Sequence, residues 1–504
     1  MRGKDMLKAI IFDMDGTLID SDELVLKIYE ALIHKYPSKH PFEALDLGDV
    51  FASSYPEVLS MLYDDVKEEH LNLIHHTHQS LKHRYLKVFP GVKELLETLK
   101  QKGYNLGLLT SELRSIALDE LNILGIDHYF DHIIAFDDVK NGKPDPEGLF
   151  HMMDYFKCQR HELVYIGDQR SDGLTARHAA VYGILMDWHH NKPLSYQQLF
   201  SHIAYQHHDV LKIIDYLETS FITMPNKGSL KIVQFTDLHL MNDEKDILTY
   251  QLITDIINHE KPDVIVFTGD QTMSEKAVIL YQELGLFMDE FKIPYTFVFG
   301  NHDTEHGITY QMLIDAISKS STSMFDQGPK HLGYGNHVIR IEDENHQLFS
   351  TLIMLDTHID DTYMINGEPT WGYGMLSDDQ INWYEQMTRI YPVPHLVFFH
   401  IPIFEVREAN KECGEYLEKP STPPIKNRFL DVAKKQHAKG MFYGHDHYND
   451  FIYHEDDVLL AYGRVSGHYD YGAPGFPKGA RVIEIDQKLN LKTYVILHQD
   501  IKKT

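Results

Sequence analysis

Over residues 1–215, short unbroken apolar runs alternate with stretches whose apolar residues recur every three or four positions. The runs KAIIFD (8–13), NLGLLT (105–110), HIIAF (132–136), LVYIGD (163–168) and GILMD (183–187) predict buried strands, with helices such as 92–102 and 114–124 between them. That alternation predicts a parallel sheet covered by helices on both faces. Between the first two strands, about 20–88, Leu, Glu, Lys and His fall at helical spacing and predict an inserted helical cap. A helix is expected at 207–219, and TSFITMPNKGSL (219–230), with its Pro, Asn, Gly and Ser, reads as a linker. A second strand-rich region follows: KIVQFTD (231–237), DVIVFTGD (263–270), YTFVFGNHD (295–303), FSTLIMLDT (349–357), HLVFFHIP (395–402) and KGMFYGHDH (439–447), with helices at 275–290 and 377–390. The expected domains are therefore 1–218 and 230–504, joined by 219–229.

Composition narrows the function classes. With 504 residues, 43% hydrophobic and 24% charged, the chain is long enough for two or three ordinary cores. Its net charge of −28 (47 Lys and Arg against 75 Asp and Glu), without a basic run, argues against long nucleic acid as a partner. Small phosphorylated metabolites remain compatible if metal ions supply positive charge. No apolar run approaches the roughly 20 residues that span a bilayer, and no membrane association is expected. The first apolar run is too short for a secretory segment, and Cys158 and Cys413 form no motif, so a cytoplasmic location is expected.

The ends of the predicted strands carry the chemistry. In residues 1–215, IFDMDGT places Asp13 and Asp15 after the first strand and LLTS places Thr110 and Ser111 after the second. KPDP offers Lys143, and IGDQRSD offers Asp168 and Asp172. Ligands of open α/β sheets bind at such carboxyl ends. A carboxylate nucleophile, a neighbouring acid/base, hydroxyls, an ammonium and further carboxylates suit phosphoryl transfer with magnesium. Gly16 permits a sharp turn that aims Asp15 back toward Asp13. The order DMDGT, LLTS, GKPDP, GDQRSD resembles the haloacid dehalogenase-like hydrolases over essentially all of 1–215, and FPGV at 89–92 with the helical insertion resembles their phosphoglycolate-phosphatase-like branch. The resemblance implies that Asp13 attacks phosphorus and that Asp15 protonates the leaving group. It further implies that Thr110, Ser111 and Lys143 hold phosphoryl oxygens. Asp13, Asp15, Asp168 and Asp172 would form the Mg²⁺ site. The histidine-dense HLNLIHHTHQSLKH (70–83), with His75 and His78 one helical turn apart, reads as solvated helix.

The second region ends its strands differently: FTDLHL (Asp237, His239), FTGD (Asp270), FGNHD (Asn301, His302, Asp303), FFHIP (His400) and YGHDH (His445, His447). Imidazoles and carboxylates suit Zn, Fe or Mn, and there are donors enough for two metals sharing Asp270. Asp303 could orient His302 without touching metal, and His358 and His395 read as structural or surface groups. The pattern resembles the calcineurin-like metallophosphoesterases over about 230–485. The stretch YGRVSGHYDYGAPGFPKGARVIEID (462–486) resembles the branch related to purple acid phosphatases. The resemblance implies one metal on Asp237, His239, Asp270 and His447 and a second on Asp270, Asn301, His400 and His445. On it His302 would assist the leaving group or hold the phosphate. Arg464 is read, from the affinity of a guanidinium for phosphate, as a substrate-binding candidate, with a structural role as the alternative. Where the purple enzymes carry a tyrosine three residues after the shared aspartate, this chain has Met273, which predicts no purple colour.

The fold expected overall is α/β: a Rossmann-like parallel sheet with an inserted helical cap, then a four-layer α/β metallophosphoesterase sandwich. The expected function is a bifunctional phosphoester hydrolase. Its N-terminal Mg-dependent phosphomonoesterase would work through an aspartyl-phosphate and its C-terminal dinuclear centre through metal-bound hydroxide. The alternatives are one catalytic domain beside a phospho-ligand-binding regulatory module, or a metal-stabilised scaffold.

Overall fold

A computed structural model describes residues 7–38, 42, 45, 50, 55–226, 228–469 and 475–501. The chain divides into two compact units, Met1–Glu218 and Thr219–Thr504. Parts of the expected cap (39–41, 43–44, 46–49 and 51–54) and of the 462–486 stretch (470–474) lie outside the described residues. Among those described, no helix is long and apolar enough to cross a membrane.

In the first unit, β1 (Ala9–Phe12), β2 (Asn105–Leu109), β3 (His132–Ile134), β4 (Leu163–Gly167), β5 (Tyr182–Met186) and β6 (His202–Ala204) form one parallel sheet in the order β3-β2-β1-β4-β5-β6. The strands are continuous apolar runs because both faces are covered. Ile11, Tyr165 and Leu109 pack in one layer with Leu149 and Met152, while Ile10, Phe12, Leu106 and Ile166 are buried as well. The register fixes the rim: Phe12 pairs with Leu108 on one side and Ile166 on the other. Asp13, Thr110 and Asp168 therefore leave three adjacent strands at nearly one level. Helices α1 (Asp22–Lys35), α2 (Tyr55–Leu62) and α3 (Glu68–Tyr85) make up the described insertion. There His70 packs against the rings of Tyr36 and Tyr63, with centroids 4.9 and 4.5 Å away. The strand β6 was not anticipated; Ser201 and His202 leave it no unbroken apolar run.

The second unit has two sheets. One contains β8 (Ser229–Phe235), β9 (Val264–Thr268), β10 (Tyr295–Val298), β19 (Gly479–Asp486) and β20 (Leu491–Leu497), in the order β10-β9-β8-β19-β20. The other runs β17 (Ile452–Glu455), β18 (Val458–Tyr462), β16 (Ala438–Tyr443), β15 (His395–Phe398), β12 (Leu348–Met354), β11 (His337–Glu342) and β7 (Phe221–Thr223). A separate hairpin pairs β13 (Asp360–Ile365) with β14 (Glu368–Tyr373). Ile232, Val264, Val266 and Val298 of the first sheet meet Ile339, Leu352, Met354, Leu396 and Phe442 of the second in a dry layer. Helices 244–260 and 277–291 cover the outer face of the first sheet, and Tyr384 and Phe429, on helices over the second, pack against each other. The result is the four-layer sandwich. Buried Gln234 donates to Thr268 Oγ1 (2.8 Å) in its own sheet and to the Tyr443 carbonyl (3.1 Å) in the other, tying the two together.

The stretch 219–229, expected as a linker, is corrected in part. Phe221–Thr223 is an edge strand, parallel to β11, with Arg340 opposite Phe221. Ile222 and Met224 are buried in the inter-sheet core. The Pro, Asn and Gly that signalled a linker are confined to 225–228, and Ile and Met ahead of them have apolar surface to bury. Replacing Ile222 by Ala should cost about 2–3 kcal/mol, as for other buried large-to-small changes. Urea titration of fragment 219–504 should show an earlier midpoint; an unchanged midpoint would mean the segment is an unpaired linker.

Candidate active sites at two strand-end rims

At the rim of the first unit, Asp13, Asp168 and Asp172 are buried and offer oxygens within 4.8 Å of one another. Lys143 reaches between them: its Nζ is 2.5 Å from Asp13 Oδ1 and 2.6 Å from Asp172 Oδ1. Tyr165 donates to the same Asp172 oxygen at 2.7 Å, and the Gln169 amide donates to the other at 2.9 Å. Burial raises the Asp13 carboxyl to about 8, and the neighbouring Asp172 charge adds to this against the pull of Lys143. Burial opposes the charge on Lys143, but Asp13 and Asp172 together hold its pKa above that of an ordinary lysine. Gly16 has φ +72°, and a Cβ there would sit 2.3 Å from Asp168 Oδ2, so both the turn and the close approach require glycine.

The Asp15 side chain is not among the three carboxylates that cluster, Asp13, Asp168 and Asp172. Burial raises its carboxyl well above the usual range, and the next largest causes are Glu120 and Glu112 rather than Asp13. A carboxyl so placed is suited to carrying a proton. Thr110 is buried and its Oγ1 accepts the Glu112 amide at 3.0 Å, while exposed Ser111 lines a shallow depression with Thr110, Asn141 and Lys143. Two groups escaped the sequence reading. Lys192 donates to Asp168 Oδ2 at 2.7 Å; it follows β5 by only a few residues, so its place at the same rim was a usable signal. His78 is not solvated as expected: its Nε2 lies 2.9 Å from buried Glu120 Oε1, joining the cap helix to α4 (Arg114–Leu124). His75 remains exposed. A histidine-containing group that the sequence reading did not single out, Glu94 with His207 and His208, lies at the surface of this unit.

In the second unit the same register logic applies to two sheets. Phe235 pairs with Phe267 and Thr268 with Val298, so Asp237, Asp270 and Asn301 leave adjacent strands together. Phe398 pairs with Phe442, which brings His400 and His445 out side by side. Two buried triads result: Asp237, His239 and His447, and Asp270, His400 and His445. Asp270 Oδ2 is 3.2 Å from His400 Nε2 and 3.6 Å from His239 Nε2, so it stands between the triads. Asn301 Oδ1 is 3.1 Å from His400 Nε2. The Thr268 carbonyl faces His400 Nδ1 at 2.8 Å and fixes the ring with Nε2 turned toward Asp270.

Electrostatics here follows from crowding. Burial works against the Asp270 carboxylate, yet His400 and His239 hold its pKa well below the ordinary value. Burial likewise disfavours charge on His400, but Asp270 lifts it to about 9. Burial, reinforced by His400, pushes His445 down to about 3. Asp303 does not face His302. Its carboxylate accepts from the amides of Asp270, Gly300 and Thr272 at 3.1, 2.8 and 3.0 Å, bracing the loop that carries Asp270. His302 Nδ1 instead meets Glu305 Oε1 at 2.7 Å.

The donors fit metal ions on two observations. His445 Nε2 and His239 Nδ1 are buried without a hydrogen-bond partner, a cost that a bound cation removes at whichever nitrogen it reaches. Asp237, His239, Asp270 and His445 all adopt left-handed backbone, with φ of 52°, 47°, 54° and 78°. Such conformations cost of order 1–3 kcal/mol each and concentrate at functional sites. Between them Gly269 (φ +95°) lies so close to His400 that a Cβ would meet Nδ1 at 2.3 Å.

Arg464 is corrected. Its guanidinium is buried, donates to Asp450 Oδ2 at 2.6 Å and to the Pro477 carbonyl at 2.7 and 2.9 Å, and stacks on Phe476 at 4.0 Å. These contacts tie loops together and give Arg464 a structural role. His395 is buried against Tyr384 Oη at 2.5 Å, and His358 faces Gln380 Oε1 at 2.9 Å, both structural.

Residues 10–186 match the haloacid dehalogenase-like hydrolase family, and residues 230–449 match the calcineurin-like phosphoesterase family. A pyrophosphatase PpaX of Bacillus velezensis is 31% identical over 183 residues, covering 36% of this chain and 83% of that protein. The "Probable inactive purple acid phosphatase 28" of Arabidopsis thaliana is 28% identical over 302 residues, covering 51% of this chain and 75% of that protein. A solved haloacid dehalogenase-superfamily hydrolase of subfamily IA from Geobacter sulfurreducens is 23% identical, with a TM-score of 0.35, and covers 42% of this chain and 98% of that one.

Mn²⁺ or Zn²⁺ at about 100 times its Kd should stabilise the second unit by about 2.7 kcal/mol. For a domain of this size that raises its melting temperature by on the order of 5 °C or more. EDTA should reverse the rise and Asp270→Ala should abolish the increment. A melting temperature indifferent to every divalent metal would count against the site.

Proposed function

We propose, for a chain that belongs in its N-terminal part to the haloacid dehalogenase-like hydrolases and in its C-terminal part to the calcineurin-like phosphoesterases, that one polypeptide carries two independent phosphoester-hydrolysing centres of unlike mechanism. Hydrolysis of phosphoesters is the chemistry common to the two families. The observation that supports two working centres is that each rim holds a full but different donor set: carboxylates around one lysine in the first, imidazoles around a shared carboxylate in the second.

In the first centre Asp13 attacks phosphorus, forming an aspartyl-phosphate as the bond to the leaving oxygen breaks. Asp15, kept protonated by its burial beside Glu120 and Glu112, delivers a proton to that oxygen. As a carboxylate it then removes one from the water that hydrolyses the acyl phosphate. Lys143, Thr110 and Ser111 hold the phosphoryl oxygens. Mg²⁺ held by Asp13, Asp168 and Asp172 would neutralise charge on the transferring group.

In the second centre Asp237, His239, Asp270 and His447 would hold one divalent metal and Asp270, Asn301, His400 and His445 another, such as Mn, Fe or Zn. Together they would supply positive charge to the phosphoryl oxygens and lower the pKa of an attacking water. Half-buried His302 keeps its proton more readily than an ordinary histidine: burial opposes this, but Asp270 and then Glu305 outweigh it. It is therefore placed to protonate the leaving group. Small phosphorylated metabolites are the proposed substrates of both.

A second reading draws on the Arabidopsis relative, whose name calls it inactive. On it the second unit binds a phosphorylated ligand and regulates the first.

Asp13→Asn should abolish Mg²⁺-dependent phosphomonoester hydrolysis and spare the activity supported by Mn²⁺ or another transition metal. Asn301→Ala or His302→Ala should do the reverse. Equal loss of both activities in either variant would refute independence, and metal binding without turnover at the second centre would favour the regulatory reading.

A further inference from the structure

Beside the second centre stands the β13–β14 hairpin, whose register places Trp371 opposite Thr362 and Tyr373 opposite Asp360. Successive strand residues alternate in direction, so Trp371 and Tyr373 share one face, with Pro369 and its partner Met364 farther along it. The opposite face is anchored. Tyr363 is buried, and Gly372 lies so close to Pro424 that a Cβ would meet its ring at 2.4 Å. The first face is open: Trp371 is 61% exposed and Met364 68%.

An exposed indole is ordinarily free to turn. This one is held, because Trp371 Nε1 donates to Asp360 Oδ2 at 2.8 Å across the hairpin, and its ring lies 5.2 Å from that of Tyr373. The Tyr373 ring in turn meets His445 edge-on at 4.5 Å, and His445 lies 5.1 Å from His400. A continuous line of rings thus runs from solvent to the donor set that the proposed reaction uses. A rigid aromatic surface leading to a phosphoester centre has one obvious complement, a flat ring attached to the phosphate.

We propose that Trp371, with Tyr373 beneath it, is a stacking platform that selects phosphoesters whose leaving group carries a planar aromatic ring of nucleobase size. This rests on the phosphoesterase reading of the second centre. Trp371 is a specificity residue: it grips the part of the substrate that departs, and takes no part in bond breaking. Base-on-aromatic stacking has a strength corresponding to roughly 5- to 100-fold in binding.

The test uses the full chain carrying Asp13→Asn, so that the first centre is silent, and two ligands that share a phosphate and a sugar: adenosine 5′-monophosphate and ribose 5-phosphate. With Mn²⁺ present, Trp371→Ala should raise KM for the nucleotide within that range while kcat is kept. Trp371→Phe should restore most of the loss, and ribose 5-phosphate should be indifferent to both changes. Tryptophan fluorescence provides an arm that needs no turnover: the nucleotide should quench a signal that disappears in Trp371→Ala, and ribose 5-phosphate should not. Equal KM effects on the two ligands, or no effect and no Trp371-dependent quenching, would overturn the platform. Absence of turnover with both ligands, alongside preserved nucleotide quenching, would uphold the platform and count against hydrolysis at that centre.

Discussion

A carboxylate buried beside other carboxylates must be given a counter-charge, and both rims of this protein are organised by that need. In the first unit the counter-charge is covalent to the chain: Lys143 bridges Asp13 and Asp172, and Lys192 answers Asp168. In the second, among the described residues, no lysine or arginine pairs with Asp237 or Asp270, and the side chains that form ion pairs with them are histidines. Imidazoles are weak counter-charges that become strong ligands once a divalent ion replaces the proton. The same requirement is met by lysine ammonium groups in one unit, joined on the proposed reading by Mg²⁺, and on that reading by two metals without any ammonium in the other.

Precision at each rim comes from the sheet beneath it. One-residue slips in a strand would turn every side chain to the other face, so the pairing of Phe12 with Leu108 and Ile166 sets the spacing of Asp13, Thr110 and Asp168. The second unit adds local strain. Four proposed metal-binding residues hold left-handed backbone that only a surrounding network can impose. Asp303, buried and lifted to about 7 first by burial and then by Asp270, is the centre of that network. It ties the Asp270 loop, through the amides of Asp270 and Thr272, to its own loop, through that of Gly300, a positioning role that explains an aspartate beside His302.

The two rims differ in what surrounds them. Over the first unit's sheet, the insertion contributes His78, paired with Glu120 in the region that also sets the protonation of Asp15. Among the described residues, the second unit has no comparable insertion of helices between its early strands. It extends instead a hairpin whose aromatic face begins at His445. Substrate choice in each unit is thus expected to lie in elements inserted between the strands of the scaffold, where sequence can change without disturbing register.

Strand ends and the residues they carry are legible in the amino-acid order alone. Apolar runs that finish in Asp, Asn or His are visible without coordinates, and so were the two unlike donor sets and the α/β layers of both units. Strands without an unbroken apolar run, such as His202–Ala204 and Phe221–Thr223, were not legible, because polar residues interrupt the pattern and their pairing is purely tertiary. Nor were the partners of individual side chains. Arg464 reads as a phosphate ligand from its neighbourhood in sequence, yet it folds inward onto Asp450 and Pro477. His78 reads as surface, yet it finds a buried glutamate. Residue type limits which bonds a group can make; which partner lies within reach is decided only when distant segments are packed together, and that is set by strand register and loop closure.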